Sequence, residues 1–365
     1  MKKKFFKKIF VFSIVFSYLF LQKTNAQLGG GNTYQFLNIP TSARVSALGG
    51  NVLAVKDNDI NLAALNPSLL NKTMNNKLTM TYMKYFAGVN MGYVGYAKTI
   101  GNIGSFNAGM QYLNYGTFTR ADANGETDGN FTAGEYALNL AWGKELRDSN
   151  FSVGANLKSI YSVFEQYKSF GMAADIAGTY YNEKIKFGSA LVIKNIGKQL
   201  TTSTDNTSEK LPFEIQLGLS KRLLHAPFRF SVVYENLEKF KLTYKDTTQK
   251  KSTFNSISNE NTKSKNDFFD NALRHIVVGA EILPTKNISL RIGYNYQRRQ
   301  ELKLATKQGV VGFSFGLGIN TSKFSIDYTR AIYHLAGASN YFTFGINFSS
   351  FYTKKPNVAR ITENM

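Results

Sequence analysis

The sequence contains no cysteine, which excludes disulfides, thiolate nucleophiles and a lipidated N-terminal cysteine. Histidine is nearly as scarce. His225, His275 and His334 fall on a turn, a strand start and a loop near the end of a strand, and no pair has metal-ligand spacing. Beyond the first 26 residues no stretch approaches 18 consecutive apolar residues and the mean hydropathy is −0.24, so transmembrane helices are excluded. Barrel strands escape that test because only alternate residues face lipid. Acids are also few, with 24 Asp+Glu against 44 Lys+Arg and a formal charge of +20.

What is present begins with an export signal. Lys2, Lys3, Lys4, Lys7 and Lys8 form a positive n-region, Ile9–Leu21 an apolar h-region, and Thr24-Asn25-Ala26 a small-residue cleavage site before Gln27. The h-region is short for a spanning helix, so cleavage is expected rather than anchoring. Loss of residues 1–26 leaves 38 basic and 24 acidic residues, a charge of +14. In an exported chain this points to anionic lipid headgroups, surface polysaccharide or a protein partner, and not to nucleic acid.

The remainder alternates with period two. In Val310–Asn320, Val311, Phe313, Phe315, Leu317 and Ile319 share one face, and Gly312, Ser314, Gly316, Gly318 and Asn320 the other. Tyr341–Ser349 repeats the pattern. So do Tyr136, Leu138, Leu140 and Trp142 against Ala137, Asn139 and Ala141, and Ile288, Leu290, Ile292, Tyr294 and Tyr296 against Ser289, Arg291, Gly293 and Asn295. Apolar faces on an exported chain this rich in Tyr and Phe suit a lipid-facing exterior.

Strands are expected at Lys77–Lys84, Asn90–Thr99, Ile103–Asn114, Glu135–Leu146, Phe151–Glu165, Ser169–Tyr181 and Lys184–Ile196. The second half adds Pro212–Leu223, Phe228–Leu237, Leu273–Leu283, Ile288–Arg298, Val310–Asn320, Lys323–Ile332 and Ser339–Ser349. Connections after even-numbered strands are short. Those after odd-numbered strands are mostly longer, notably Tyr115–Gly134, Gly197–Lys210, Lys239–Asn271 and Arg299–Gly309. The expected fold is all-β: a 14-stranded antiparallel transmembrane β-barrel with an N-terminal hatch or plug segment, in the outer membrane with both termini periplasmic. The divisions are a signal peptide over 1–26, a hatch over 27–76, the barrel over 77–350 and a periplasmic tail over 351–365.

The inward faces collect Lys158, Asp175, Lys186, Glu214, Arg229, Glu235, Glu281, Arg291 and Asp327. Charges of both signs on one wall suggest a cross-linked interior more than a selective pore. The hatch has enough apolar content to fold inside a barrel, and Asn66 can cap a short turn with Pro67 at its first position. Asp57-Asn58-Asp59-Ile60-Asn61 resembles the opening of a calcium loop, but Leu62 replaces the required Gly and Ser68 the bidentate Glu, so a solvated turn is expected. No catalytic, cofactor-binding or metal residue is expected, and no constellation for a surface protease or lipase is present.

The run Tyr34-Gln35-Phe36-Leu37-Asn38-Ile39-Pro40-Thr41-Ser42-Ala43-Arg44-Val45-Ser46-Ala47-Leu48-Gly49-Gly50, followed by Asp57 and Asn66-Pro67-Ser68-Leu69-Leu70, resembles the PorV/PorQ family of the Bacteroidota type IX secretion system, with the PorQ branch the nearer. Its markers are Ser42, Ala43, Arg44, Gly49, Gly50, Asn66 and Pro67. The resemblance implies a FadL-like barrel with a hatch and a non-enzymatic role in protein transport. In this role it would anchor a PorZ-like surface protein in the attachment complex, alongside PorU and PorV, near outer-membrane lipid or lipopolysaccharide. The alternative is a FadL-like transporter of hydrophobic small molecules.

Overall fold

A computed structural model of the chain describes residues 32–85, 88–122, 124–146, 150–202, 208–243, 268–302, 309–334 and 337–352. The expected signal peptide and nearly all of the expected tail lie outside the described residues. Fourteen antiparallel strands close into one barrel, each paired with its sequence neighbours and β1 with β14. They are β1 Lys77–Lys84, β2 Asn90–Ile100, β3 Gly104–Ala121, β4 Thr127–Glu145, β5 Phe151–Phe164, β6 Tyr167–Asn182 and β7 Phe187–Thr201. Around the other half run β8 Glu214–Arg222, β9 Phe228–Tyr234, β10 Ile276–Ile282, β11 Ile288–Asn295, β12 Phe313–Asn320, β13 Phe324–His334 and β14 Gly337–Asn347. Closure pairs every strand edge, the condition for a sheet to cross lipid.

The period-two sequence builds two unlike faces. Outward positions carry large apolar side chains left exposed, among them Met80, Leu138, Leu140, Ile176, Phe230, Phe315 and Phe342. Such a belt is costly in water and favourable in a hydrocarbon core, so this is a transmembrane barrel. Inward positions carry Gly, Ala, Ser, Thr and Asn, and nearly all are buried. Small inward residues leave room, and residues 33–76 occupy it.

The ends of the barrel differ. Every connection after an even-numbered strand has three to five residues, as at residues 101–103 and 321–323. This is the turn end. Connections at the opposite, loop end run from two residues at 165–166 to 41 at 235–275. The N-terminal segment enters at the loop end, where Asn32 bridges Lys210 and the Thr33 N–H donates to the Lys210 carbonyl at 2.9 Å. It leaves at the turn end, where the Asn76 N–H donates to the Ala97 carbonyl just before β1. Asn32 and Tyr352, the first and last described residues, therefore lie at opposite ends, and the termini expected on the periplasmic side lie outside the described residues. The segment runs the length of the lumen before the first strand begins.

Several boundaries also move. Most of the expected loop Tyr115–Gly134 is strand, because β3 and β4 continue as a hairpin to a tip at residues 122–126. Part of the expected loop Gly197–Lys210 likewise belongs to β7. Strands of 18 and 19 residues overshoot the 9–11 needed to cross a bilayer, so this wall rises roughly 20 Å above its membrane part. β8 to β12 have only 7–9 residues. Val311 is buried rather than lipid-facing, since β12 starts only at Phe313, after a turn with Gly312 at φ 91°. Tyr296 leaves the lipid face because β11 ends at Asn295 and a helix, Tyr296–Leu302, follows.

The inner wall is shaped to the segment. A Cβ on Gly154 would strike the Pro67 and Ser68 backbone, and one on Gly293 the backbone of Ala47, Leu48 and Gly49. The variant Gly293→Val is expected to lever the segment off the wall and open it to trypsin at Arg44 and Lys56. Gly178→Val, where nothing lies within 4 Å of an added Cβ, should leave it protected. Equal protection in both variants would refute the close fit.

Candidate functional site

The N-terminal segment folds as short pieces, each ended by its own polar residue. Ser42 caps the helix Ala43–Ala47 by accepting from the Val45 N–H, and Gly49 and Gly50 close it at φ 93° and 101°. Gly49 has no room for a side chain, since a Cβ would sit 2.6 Å from Val277 Cγ1. Asn66 accepts from the Ser68 N–H with Pro67 following, and donates to the Leu53 carbonyl at 2.7 Å and to Thr179 Oγ1 at 2.9 Å. Wall hydroxyls complete the backbone. Thr329 donates to the Ala43 carbonyl, Ser220 donates to the Ala54 carbonyl, and Thr343 accepts from the Ala43 N–H. A buried peptide group must find a partner, and the wall supplies it.

Arg44 is the centre of an ion network at the turn end. Its guanidinium meets Glu281 at 3.0 Å, Asp57 at 2.7 Å and Asp59 at 3.2 Å. Glu281 also receives Arg229 at 2.8 Å and Arg291 at 3.0 Å, and Arg291 reaches Asp327 at 2.5 Å. Arg229 meets Asp57 at 3.1 Å. The sequence placed Arg229, Glu281, Arg291 and Asp327 on the inner face, and the structure joins them to one another through Arg44. It did not anticipate Asp57 and Asp59 here. Those two residues, read as a solvated turn, are the segment's anionic half of the network; they are its only acids between Gln27 and Asn76. Burial alone would raise the Asp57 carboxyl, but Arg44 and then Arg229 outweigh it and hold it below the usual carboxylate range.

The other inward charges are dispersed. Lys158 pairs with Asp175 at 2.8 Å, and Asn195 and Asn156 complete their shells. Glu214 accepts from the Asn236 N–H and Glu235 from Asn51, both near the loop end. Lys186 is a correction: it lies in the turn before β7, beside Glu183, because that strand starts at Phe187. His275 is a buried pin, stacked on Tyr234 and bonded to the carbonyls of Glu235 and Phe240. Among the described residues no group of His, Asp and Glu could hold a metal ion.

Two cavities of about 290 Å³ lie at the loop-end mouth, both bordered by Asn32 and Gln35. One runs beside Tyr34, Tyr115, Glu135 and Ser169, with Tyr115 donating to Glu135 at 2.5 Å. Their walls are mostly polar.

No protein-family model and no curated protein matches the sequence. Among solved structures, the chain is similar to the Pseudomonas putida toluene transporter TodX, with 10% identity and a TM-score of 0.45 over 84% of this chain and 96% of that one. A TodX mutant described as a monoaromatic hydrocarbon channel gives a TM-score of 0.49 at 10% identity, over 84% and 99%. The KdgM porin gives 0.31 at 5% identity, over 74% and 96%. At scores below 0.5 these likenesses carry no argument about cargo or partners, and the finer PorV/PorQ assignment gains nothing from them.

The ion network generates two expectations. Arg44→Ala leaves Glu281 and Asp57 short of a partner in a buried site and should cost about 3–5 kcal/mol in urea unfolding. A double-mutant cycle with Glu281→Gln should recover part of that loss, and strictly additive effects would contradict the coupling. Asp57, with a lowered folded-state pKa, adds stability that is complete above its unfolded value of about 3.9 and disappears as pH falls through the folded value. The protection factors of the amides of residues 43–59, taken relative to the intrinsic exchange rate at each pH, should thus be constant from about pH 5 to 8 and fall below about pH 4.

Proposed function

We propose that this protein is an outer-membrane barrel acting as a sealed anchor, with its loop end outside the cell and a raised wall on that side that holds a surface partner. The observation that carries the reading is the lumen threaded from mouth to mouth by residues 33–76 and cross-linked to the strands at the turn end by the Arg44–Glu281 and Asp57–Arg229 ion pairs. A channel needs a path, and the described lumen instead has closely fitted backbone, with Gly154 against Pro67 and Gly293 against Gly49. Short turns on the periplasmic side and longer connections outside are the rule for such barrels. The β3–β4 hairpin then projects from the cell, with Phe118 stacked on Phe131 and Arg120 paired to Glu165. Together with the connections at residues 202–213 and 235–275, it could offer a standard interface of roughly 800 Å².

The finer reading is a PorZ-like partner in a type IX attachment complex, with PorU and PorV as further members. It rests on the resemblance of Tyr34–Gly50 and Asn66–Leu70 alone. The competing reading, transport of hydrophobic small molecules, is the activity named for the TodX structures. It would require an apolar path past the segment.

Replacing residues 117–132 by a two-residue turn should leave a barrel that inserts and keeps its heat-dependent gel mobility, while the partner recovered with the full-length protein is lost. Purified barrel in liposomes should take up toluene and oleate no faster than empty liposomes. Partner retention in the trimmed variant, or uptake well above the empty control, would overturn the anchor.

A further inference from the structure

Outside the lumen, positive charge is arranged by turn. Each of the six short turns has a lysine in it or within three residues of it: Lys98, Lys144, Lys184, Lys221, Lys286 and Lys323, in the order the turns follow round the barrel. All six are exposed or half-buried, and none has an ion pair among the described residues. The acids nearest to them are already taken, Glu145 by Lys56 and Glu183 by Lys186. At the loop end, by contrast, charges of both signs meet, Arg120 with Asp128 and Glu165, and Arg274 with Asp270.

The strand register shows which way these lysines face. Lys98 lies opposite Phe106, Lys144 opposite Val153, and Lys221 between Phe187 and Phe230. Directly opposed residues share a face of the sheet, and these partners are on the lipid side, so the three lysines stand on the outer surface. Lys323 precedes the outward Phe324, with Nζ 4.8 Å from the Phe351 ring, and Lys184 and Lys286 adjoin the exposed Ile185 and Ile288. Aromatic side chains mark the same level. Phe151 meets Tyr180 at 5.1 Å, Phe324 meets Phe344 at 5.9 Å, and the Trp142 indole donates to the Ile103 carbonyl. Such a girdle sits where hydrocarbon gives way to headgroups, and a lysine there lays its stem on apolar surface and carries its ammonium beyond it.

We propose that the six lysines form a collar that binds the phosphates of anionic phospholipids ringing the barrel at its turn end. The distribution selects lipid over a protein partner. A docked protein would need its complementary charges gathered on one patch, whereas one cation at every turn matches an occupant that surrounds the barrel. Charge selects the headgroup. A zwitterionic lipid brings its own cation, so an ammonium without a carboxylate partner gains more from a lipid that is net negative. In the orientation proposed above these lipids belong to the inner leaflet of the outer membrane, but the collar depends neither on that orientation nor on the anchor reading.

The test uses full-length protein in phosphatidylcholine vesicles at low ionic strength. Spin-labelled phosphatidylglycerol or phosphatidylcholine is the probe, and electron paramagnetic resonance reads the fraction immobilised on the barrel. Phosphatidylglycerol should associate about two- to fivefold more strongly, the upper value being one lysine per headgroup. The preference should fade in about 1 M salt, where charges are screened beyond about 3 Å. Replacing all six lysines by glutamine should abolish it, while Lys84→Gln, Lys168→Gln and Lys198→Gln together, at the loop end, should leave it intact. Should the sixfold variant fail to insert, Lys184→Gln, Lys286→Gln and Lys323→Gln together leave the strands untouched and should remove roughly half of the preference. Inorganic phosphate, added at constant ionic strength, should displace no lipid. The proposal is overturned by equal association of the two lipids, by a preference unchanged in the collar variants or lost in the loop-end variant, or by displacement with inorganic phosphate, which would assign the collar to the free anion.

Discussion

Everything inside this barrel depends on how Glu281 is neutralised. The carboxylate is almost fully buried on β10, and three guanidinium groups surround it, Arg229 and Arg291 from the wall and Arg44 from the N-terminal segment. Burying a charge without compensation costs several kcal/mol, and three cations without further anions would be as costly. Asp57, Asp59 and Asp327 supply those anions, while Lys77 stands close by, donating to the Asn58 carbonyl. Segment and wall thus each carry part of one charge set, and neither part is satisfied alone. That mutual need fixes where the segment sits along the barrel, since a shift of one residue would part Arg44 from Glu281 and Asp57 from Arg229 at once.

The remaining interactions follow from that placement. Once Arg44 is positioned, the helix beginning at Ala43 lies against β11 to β14, where Gly293 and Gly316 leave space for Ala47 and its neighbours. Thr329 and Thr343 then meet the Ala43 peptide. Apolar side chains of the segment fill what is left, with Val45, Leu48, Leu53 and Leu69 packed on Ala177, Ala190 and Val192 of the wall. The wall is small and polar because the segment is large and apolar, which inverts the usual arrangement in which strands supply the core.

The two ends of the lumen therefore have different characters. At the turn end, charges and tight backbone contact close the passage. At the loop end, the segment enters beside two polar cavities under a wall raised on the β3–β7 side. The proposed anchor rests on this arrangement. A conduit would have to break several buried ion pairs together each time it opened, and breaking even one such pair is costly.

The sequence by itself determined the strand number, the closure and most of the lipid-facing residues, because period-two alternation states directly which side chains face hydrocarbon, but Val311 and Tyr296 escaped it where a strand ended. It also determined the local cap at Asn66 with Pro67, which needs only near neighbours. Most inward charges were legible for the same reason, whereas Lys186 was not, since a strand's first residue depends on its partner's register. Only the tertiary structure decided that Asp57 and Asp59 complete the Arg44 network, that Tyr115–Gly134 continues as strand, and that Asn32 emerges at the end opposite Asn347. These features arise from pairing between residues far apart in the chain. A carboxylate in a polar turn reads the same whether it faces water or an arginine some 170 residues away, as Asp57 faces Arg229, and only the closed barrel distinguishes the two.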